Sequence, residues 1–121
     1  MAWRGLTATG LALMCAITCE PALAQSGKQI SGMAAYYSKG YQGLTASGER
    51  YDPNKFTCAH RTLPFGTRVR VTDPRSHRSV VVTVNDRGPF NKGRIIDLSM
   101  AAAKELHMLG RGLIRVTAAV Q

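Results

Sequence analysis

The sequence has few cysteines, few acidic residues and no long apolar segment beyond its first two dozen residues. Only three of its 121 residues are cysteines, and Cys15 and Cys19 both fall in the N-terminal apolar stretch. Cys58 alone remains for a folded domain, which excludes a disulfide framework. No other stretch approaches the roughly 18 apolar residues that a transmembrane helix needs. We therefore expect one small domain with no transmembrane segment.

The first 24 residues have the organisation of an export signal. Arg4 is followed by an apolar run over residues 6–17 and by the small-x-small sequence Ala22-Leu23-Ala24. This pattern predicts a signal peptide over residues 1–24, cut after Ala24. We expect a short polar lead-in over residues 25–31 and a domain over residues 32–121.

A lipid anchor is not expected, because the residues before Cys15 and Cys19 are Met14 and Thr18, neither of which is small. The predicted product is a soluble monomer in the periplasm or cell envelope. The scarcity of acids gives a net charge of +9, from 16 Lys and Arg against 7 Asp and Glu. Such a charge suits an anionic partner or simple solubility. Export argues against nucleic acid as that partner.

Compact metal-binding spacings are also missing. No pair of His, Cys, Asp or Glu lies at the separation typical of metal ligands, so we expect neither a metal nor another cofactor. Cys58 and His60 are two residues apart and would face the same way in a strand, which leaves a Cys-His hydrolase open. We favour a buried Cys58, because free cysteine is among the most buried residue types.

The residues that are present favour a mainly β fold. Polar and apolar residues alternate over Thr67–Thr72, and Ser79–Asn85 is rich in β-branched residues, so we predict a hairpin of Arg68–Thr72 with Val80–Val84. Ser99 is a suitable N-cap for a helix that we expect to run to about Leu109. Short strands and one helix in a chain of this length suggest a small closed barrel. Three further strands are expected at Gly32–Tyr37, Arg94–Leu98 and Leu113–Val120.

Two aspartates stand out among the few acids. Asp86 ends an apolar strand and precedes Arg87-Gly88-Pro89, where a half-buried carboxyl can acquire the raised pKa of a general acid. The alternative is a turn aspartate that caps backbone amides. Asp97 lies near the start of the predicted helix, where negative charge is favoured, and we expect it to be structural.

Five runs of the sequence closely resemble the rare lipoprotein A (RlpA) family of bacterial envelope proteins. The match spans nearly the whole chain after the signal peptide, and its motifs TASGE, AHRTLPFGT, NDRGPF and RIIDLS occur in the order of that family. The resemblance implies a six-stranded double-psi β-barrel with one short helix near the C-terminus, similar to expansins and family 45 endoglucanases. The runs are GMAAYY (32–37), GLTASGERYD (43–52), TCAHRTLPFGTRVRVTD (57–73), VVVTVNDRGPF (80–90) and GRIIDLSMAAAKEL (93–106).

The resemblance also implies an activity and a site. Family members are expected to be lytic transglycosylases, carbon–oxygen lyases that cleave peptidoglycan during cell-wall remodelling or daughter-cell separation. Carried over to this sequence, Asp86 of NDRGPF is the expected catalytic acid and base, flanked by Glu49 and His60. The expected substrate-binding residues are Tyr37, Thr45, Ser47 and Arg87.

The expected reaction uses no water. An acid protonates the oxygen between MurNAc and GlcNAc, and the C6 hydroxyl of MurNAc attacks C1 to close a 1,6-anhydro ring. One carboxyl group can act first as acid and then as base, so a chain with few acids is compatible with this chemistry. Tyr36, Tyr37, Tyr41 and Tyr51 offer either sugar-stacking faces or packing at the barrel end. A non-catalytic, expansin-like wall-binding protein and a basic protein that binds anionic polymers are the alternatives.

Overall fold

Six strands and one short helix make up the part of the chain that the computed structural model describes, residues 29–121. The predicted signal peptide and residues 25–28 lie outside the described residues. The strands close into a barrel in the order β1-β5-β2-β4-β3-β6. β1 pairs with β5, and β2 with β4, in parallel. The elements are β1 (Gln29–Tyr36), β2 (Thr57–Ala59), β3 (Arg68–Asp73), β4 (Arg78–Asp86), β5 (Arg94–Leu98), α1 (Met100–Glu105) and β6 (Ile114–Val120).

The barrel confirms the predicted double-psi β-barrel class, and the alternating sequences explain its best-defined part. β3 and β4 pair antiparallel, with Val71 opposite Val80 and Val69 opposite Val82. All four valines are buried, because alternate residues of a strand face the same side of a sheet. β1 begins at Gln29, earlier than the predicted Gly32, because residues 29–31 pair with β6.

The helix starts as predicted but ends early. Ser99 accepts a hydrogen bond from the Ala102 amide and caps α1. The prediction that the helix reaches Leu109 was wrong, since α1 ends at Glu105 and His107 adopts φ 56°. The turn at His107 places the side chain of Met108 in the core and leaves Leu109 37% exposed.

Cys58 lies inside the barrel, where its surroundings keep the thiol protonated. Its side chain is fully buried in the core, and burial, followed by the charge of Asp97, raises the pKa of its thiol to about 12. β2 ends at Ala59, so the two-residue repeat that would align Cys58 with His60 does not extend to His60. The structure therefore gives no support to a Cys-His hydrolase.

We expect Cys58 to resist thiol reagents in the native protein, because only the thiolate reacts and the folded barrel suppresses it. Native labelling with a maleimide should be much slower than labelling in denaturant. Cys58→Ala should lower the free energy of unfolding by about 1 kcal/mol, the order expected for a small buried cavity. Rapid native labelling would contradict this assignment.

Asp73 is buried at the end of β3 and holds the turn to β4. It accepts hydrogen bonds from the amide of Arg75 at 2.9 Å and from the guanidinium of Arg111 at 3.2 Å. Burial alone would raise the pKa of this carboxyl, but these donors outweigh burial and hold the pKa of Asp73 below its ordinary value. Asp73 thus ties the β3–β4 turn to the segment before β6.

The lowered pKa predicts a loss of stability in acid. A carboxyl whose pKa is lower in the folded than in the unfolded state stabilises the fold above the unfolded value, about 3.9, and ceases to do so as the pH falls through the folded value. Asp73→Ala should lower the free energy of unfolding at pH 7 by about 1–3 kcal/mol, the cost of losing buried hydrogen bonds. Urea melts at pH 7 and pH 3 measure both effects, and the difference between wild type and variant should shrink at pH 3.

Candidate active site

Asp86, the last residue of β4, is held by three hydrogen-bond donors. Its Oδ1 accepts the backbone amides of Ala46 at 2.8 Å and Arg87 at 2.9 Å. Its Oδ2 accepts the hydroxyl of Tyr37 at 2.5 Å. The side chain is only partly buried, so it combines a fixed orientation with access to solvent. These are the requirements of a carboxyl that acts on a bound substrate.

The TASGE motif forms a short loop that rests on the end of β4. Leu44 and Arg50 form an isolated bridge, and the Thr45 amide and hydroxyl both bond to the carbonyl of Glu49. The Ser47 amide donates to the carbonyl of Asn85. The loop therefore presents the Ala46 amide to Asp86.

Glu49 and Ser47 lie at the open side of this loop. Glu49 Oε1 accepts from the side-chain amide of Asn85 at 3.2 Å and from the Ser47 hydroxyl at 3.3 Å. Thr45 is only 4% exposed, and its hydroxyl is engaged within the loop. Thr45 therefore stabilises the loop from inside, whereas Ser47 and Glu49 reach the surface. A cavity of about 450 Å³ lies beside Glu49 and Asn85.

His60 follows β2 and forms hydrogen bonds both to the end of β4 and to the residues that come after it in the chain. Its amide donates to the backbone carbonyl of Asp86, and its Nδ1 accepts the amides of Thr62 at 3.1 Å and Leu63 at 3.2 Å. An accepting Nδ1 carries no proton, which places the ring proton on Nε2. Burial, then the charges of Arg61 and Arg87, lower the pKa of His60, so the ring is neutral at pH 7.

Arg87 is turned back towards the loop that follows His60. Its guanidinium donates to the carbonyls of His60 and Leu63 at 3.1 and 2.8 Å and lies 4.1 Å from the ring centre of Phe65. Arg87, which follows Asp86 in the chain, thus connects residues 60–63 to the end of β4. Its contacts mark it as a residue that positions the site.

Three of the four tyrosines form one cluster beside Asp86. The rings of Tyr37 and Tyr51 stack with centroids 4.3 Å apart, and Tyr41 meets both edge-on. Tyr51 also accepts the Met100 amide at the start of α1. Burial, then the hydrogen bond to Asp86, raise the pKa of Tyr37, so its hydroxyl remains a donor. Tyr36 instead packs against the core.

The structure brings all seven predicted site residues to one region around the end of β4. Sequence reasoning missed the amide of Ala46 and the side chain of Asn85, although both lie inside the TASGE and NDRGPF motifs. Asp97, expected to be structural near the start of the helix, lies on β5 two residues before the cap Ser99, and its Oδ1 is buried with no hydrogen-bond partner among residues 29–121. Across residues 29–121, no group of three or more His, Cys, Asp or Glu is arranged to hold a metal ion.

No helix within residues 29–121 has the length and apolar character needed to cross a bilayer.

A closed six-stranded barrel that holds an anchored carboxyl, a neutral histidine and a tyrosine cluster defines a double-psi β-barrel domain with a candidate active site. Comparison with known proteins gives the family. Residues 29–118 match the family model DPBB_1, described as "Lytic transglycolase". The chain belongs to this family, the RlpA-like double-psi β-barrel proteins.

Curated relatives carry matching names. The chain is 57% identical over 88 residues to a protein of Nostoc sp. named "Probable endolytic peptidoglycan transglycosylase RlpA", covering 70% of this chain and 24% of the relative. It is 52% identical over 89 residues to the "Endolytic peptidoglycan transglycosylase RlpA" of Pasteurella multocida, covering 73% and 30%. The chain thus spans less than a third of the length of these relatives.

Solved structures share the barrel. The Streptomyces papain inhibitor aligns with a TM-score of 0.64 and 28% identity, over 78% of this chain and 94% of that one. The apo form of the Clavibacter michiganensis expansin aligns with a TM-score of 0.60 and 24% identity, over 78% and 50%. The second likeness concerns the fold alone.

Proposed function

We propose that this barrel is a lytic transglycosylase domain that cleaves the MurNAc–GlcNAc strands of peptidoglycan and leaves 1,6-anhydroMurNAc ends. The observation that carries the proposal is the three-donor setting of Asp86 beside His60, Glu49 and the tyrosine cluster. Its membership of the family and the names of its relatives support the same activity. The protein would then act in the cell envelope, in cell-wall remodelling or daughter-cell separation.

Asp86 is the catalytic carboxyl in this proposal. The Ala46 and Arg87 amides fix Oδ1, so Oδ2 and the hydroxyl of Tyr37 are the groups directed at a bound sugar. Glu49 and His60 position the substrate and the loops around Asp86. The reaction requires a proton donor for the glycosidic oxygen and an acceptor for the C6 hydroxyl proton, and a single carboxyl suffices for both in principle.

The charge distribution near the site suits an anionic glycan. A cavity of about 530 Å³ is lined by Tyr41 and Tyr51 together with the cations Lys39, Arg50 and Lys104. Tyr51 stacks on Tyr37, which donates a hydrogen bond to Asp86, so the tyrosine cluster connects this basic cavity to the catalytic carboxyl. Peptidoglycan carries lactyl and stem-peptide carboxylates that basic side chains attract.

Product analysis tests the proposal. Purified sacculi are incubated with the protein, and the released muropeptides are separated and weighed by mass spectrometry. A transglycosylase yields 1,6-anhydroMurNAc products, which differ from hydrolysis products by one water. Binding to sacculi without such products would instead favour the expansin-like, non-catalytic alternative.

A further inference from the structure

Asp97 is a carboxyl with no role in the proposed single-carboxyl reaction. It lies on β5 between Ile96 and Leu98, both fully buried in the core. Alternate residues of a strand point to opposite sides, so Asp97 faces away from the core. Its Oδ1 is nevertheless buried, and no group within residues 29–121 forms a hydrogen bond with it. An ionised carboxylate in that position loses hydration and gains no donor in return, so the setting favours the protonated acid.

The strand register places Asp97 close to Asp86. β2 lies between β4 and β5, and Ala59 of β2 is opposite Asp86 on one side and Asp97 on the other. Neighbouring strands are about 4.8 Å apart, so the backbones of the two aspartates are about 10 Å apart. Within the sheet, only the methyl group of Ala59 stands between them. The two carboxyls thus flank one narrow part of the barrel surface.

The two carboxyls have opposite surroundings. Asp86 receives three hydrogen bonds, whereas Oδ1 of Asp97 receives none from residues 29–121. Burial raises the pKa of Asp97, against the opposing charge of Arg94, and the charge of Asp86 raises it further. The charge of Asp97 in turn raises the pKa values of two other groups, the Tyr37 hydroxyl and the Cys58 thiol. Different environments for two carboxyls are the usual means of separating acid from base in one site.

We propose that Asp97 is a second catalytic carboxyl, which donates its proton to the glycosidic oxygen while the Asp86 carboxylate accepts the proton of the MurNAc C6 hydroxyl. The inference rests on the proposed transglycosylase reaction and divides between two residues the roles that one carboxyl could fill. The O–H bond of Asp97 breaks as the departing GlcNAc oxygen takes the proton, and the C1–O bond of MurNAc breaks. O6 bonds to C1, its proton passes to Asp86, and solvent returns that proton to Asp97.

Substrates that differ in their need for an acid test this assignment. Asp97→Asn should cleave glycan strands about 10²–10⁴-fold more slowly than wild type, the usual worth of general acid catalysis. A 2,4-dinitrophenyl β-glycoside of GlcNAc-MurNAc has a leaving group that departs without protonation. On this probe Asp97→Asn should stay within a few-fold of wild type, whereas Asp86→Asn should be slow on both substrates. Dinitrophenolate absorbance and mass spectrometry of the anhydro product give the two rates.

Controls separate a catalytic from a structural role. Glu105→Gln removes an exposed carboxyl of α1 and should match wild type on both substrates. Asp97→Asn is nearly isosteric and replaces a partly buried carboxyl group whose Oδ1 has no hydrogen-bond partner within residues 29–121, so its melting temperature at pH 7 should be no lower than that of wild type. If it does melt lower, Asp97→Ser serves for the same comparison.

Three outcomes would overturn the assignment. Asp97 variants that cleave glycan at the wild-type rate, or that are impaired equally on both substrates, refute the role of Asp97 alone. A wild-type protein that forms no anhydro product from either substrate refutes the transglycosylase proposal, and this inference with it.

Discussion

Asp86→Asn is expected to slow the release of 1,6-anhydro products by about 10²–10⁴-fold, the range typical for loss of a catalytic acid or base. Asparagine keeps the size of the side chain and can still accept the Ala46 and Arg87 amides through its Oδ1. It cannot take up a proton from the C6 hydroxyl. The fold should persist, because Asp86 lies at the end of β4 and outside the core.

The measurement compares initial rates on sacculi for wild type, Asp86→Asn and the surface control Glu105→Gln. Circular dichroism and thermal melting confirm that the variants are folded. A folded Asp86→Asn variant that still releases anhydro products at nearly the wild-type rate would remove Asp86 from the mechanism. Retained binding of that variant to sacculi would show that the loss concerns turnover.

His60→Ala is expected to lower turnover by about 10–100-fold. The imidazole Nδ1 accepts hydrogen bonds from the amides of Thr62 and Leu63. Each hydrogen bond contributes about 1 kcal/mol of stability, and losing both from the active conformation slows turnover by a factor of this order. Their loss frees the turn whose carbonyls anchor Arg87. His60→Asn should recover part of the activity, because the Asn oxygen can accept in place of Nδ1. His77→Asn, in the turn at the opposite end of β4, is the matched control and should match wild type.

The same contacts set a pH dependence. Protonation of His60 would put a proton on Nδ1, which already accepts two amides, and burial together with Arg61 and Arg87 lowers the pKa of the ring. A histidine whose pKa is lower in the folded state costs stability as the pH falls below its unfolded value of about 6.5. Activity should therefore persist somewhat below pH 6.5 and then decline. If His60→Ala retains full activity, or His60→Asn recovers none, the imidazole does not act by holding this turn.

The sequence by itself determined the family, the β3–β4 hairpin and the cap of α1. TASGE, AHRTLPFGT, NDRGPF and RIIDLS identify the family because their order and spacing are specific, and through it they located Asp86, His60 and Glu49. The hairpin was predictable because alternation and a polar turn act between neighbouring segments. The Ser99 cap was predictable because it acts over only three residues.

Only the tertiary structure decided the elements that depend on distant partners. β2 is three residues long and has no periodicity of its own, and it exists because β4 and β5 supply hydrogen bonds on both sides. The helix ends at Glu105 because the chain must turn to bury Met108. Such packing overrides local helix propensity.

The site follows the same division. The motifs identified its residues, but their contacts depend on how the TASGE loop packs on β4. That packing lets the Ala46 amide donate to Asp86 and buries Thr45. Pairing of Ala59 with both Asp86 and Asp97 set the two aspartates on either side of β2, although they are eleven positions apart in sequence. Charge and hydrogen bonding at a carboxyl depend on groups brought together by folding, so the contrast between these two aspartates belongs to the barrel and not to the sequence pattern.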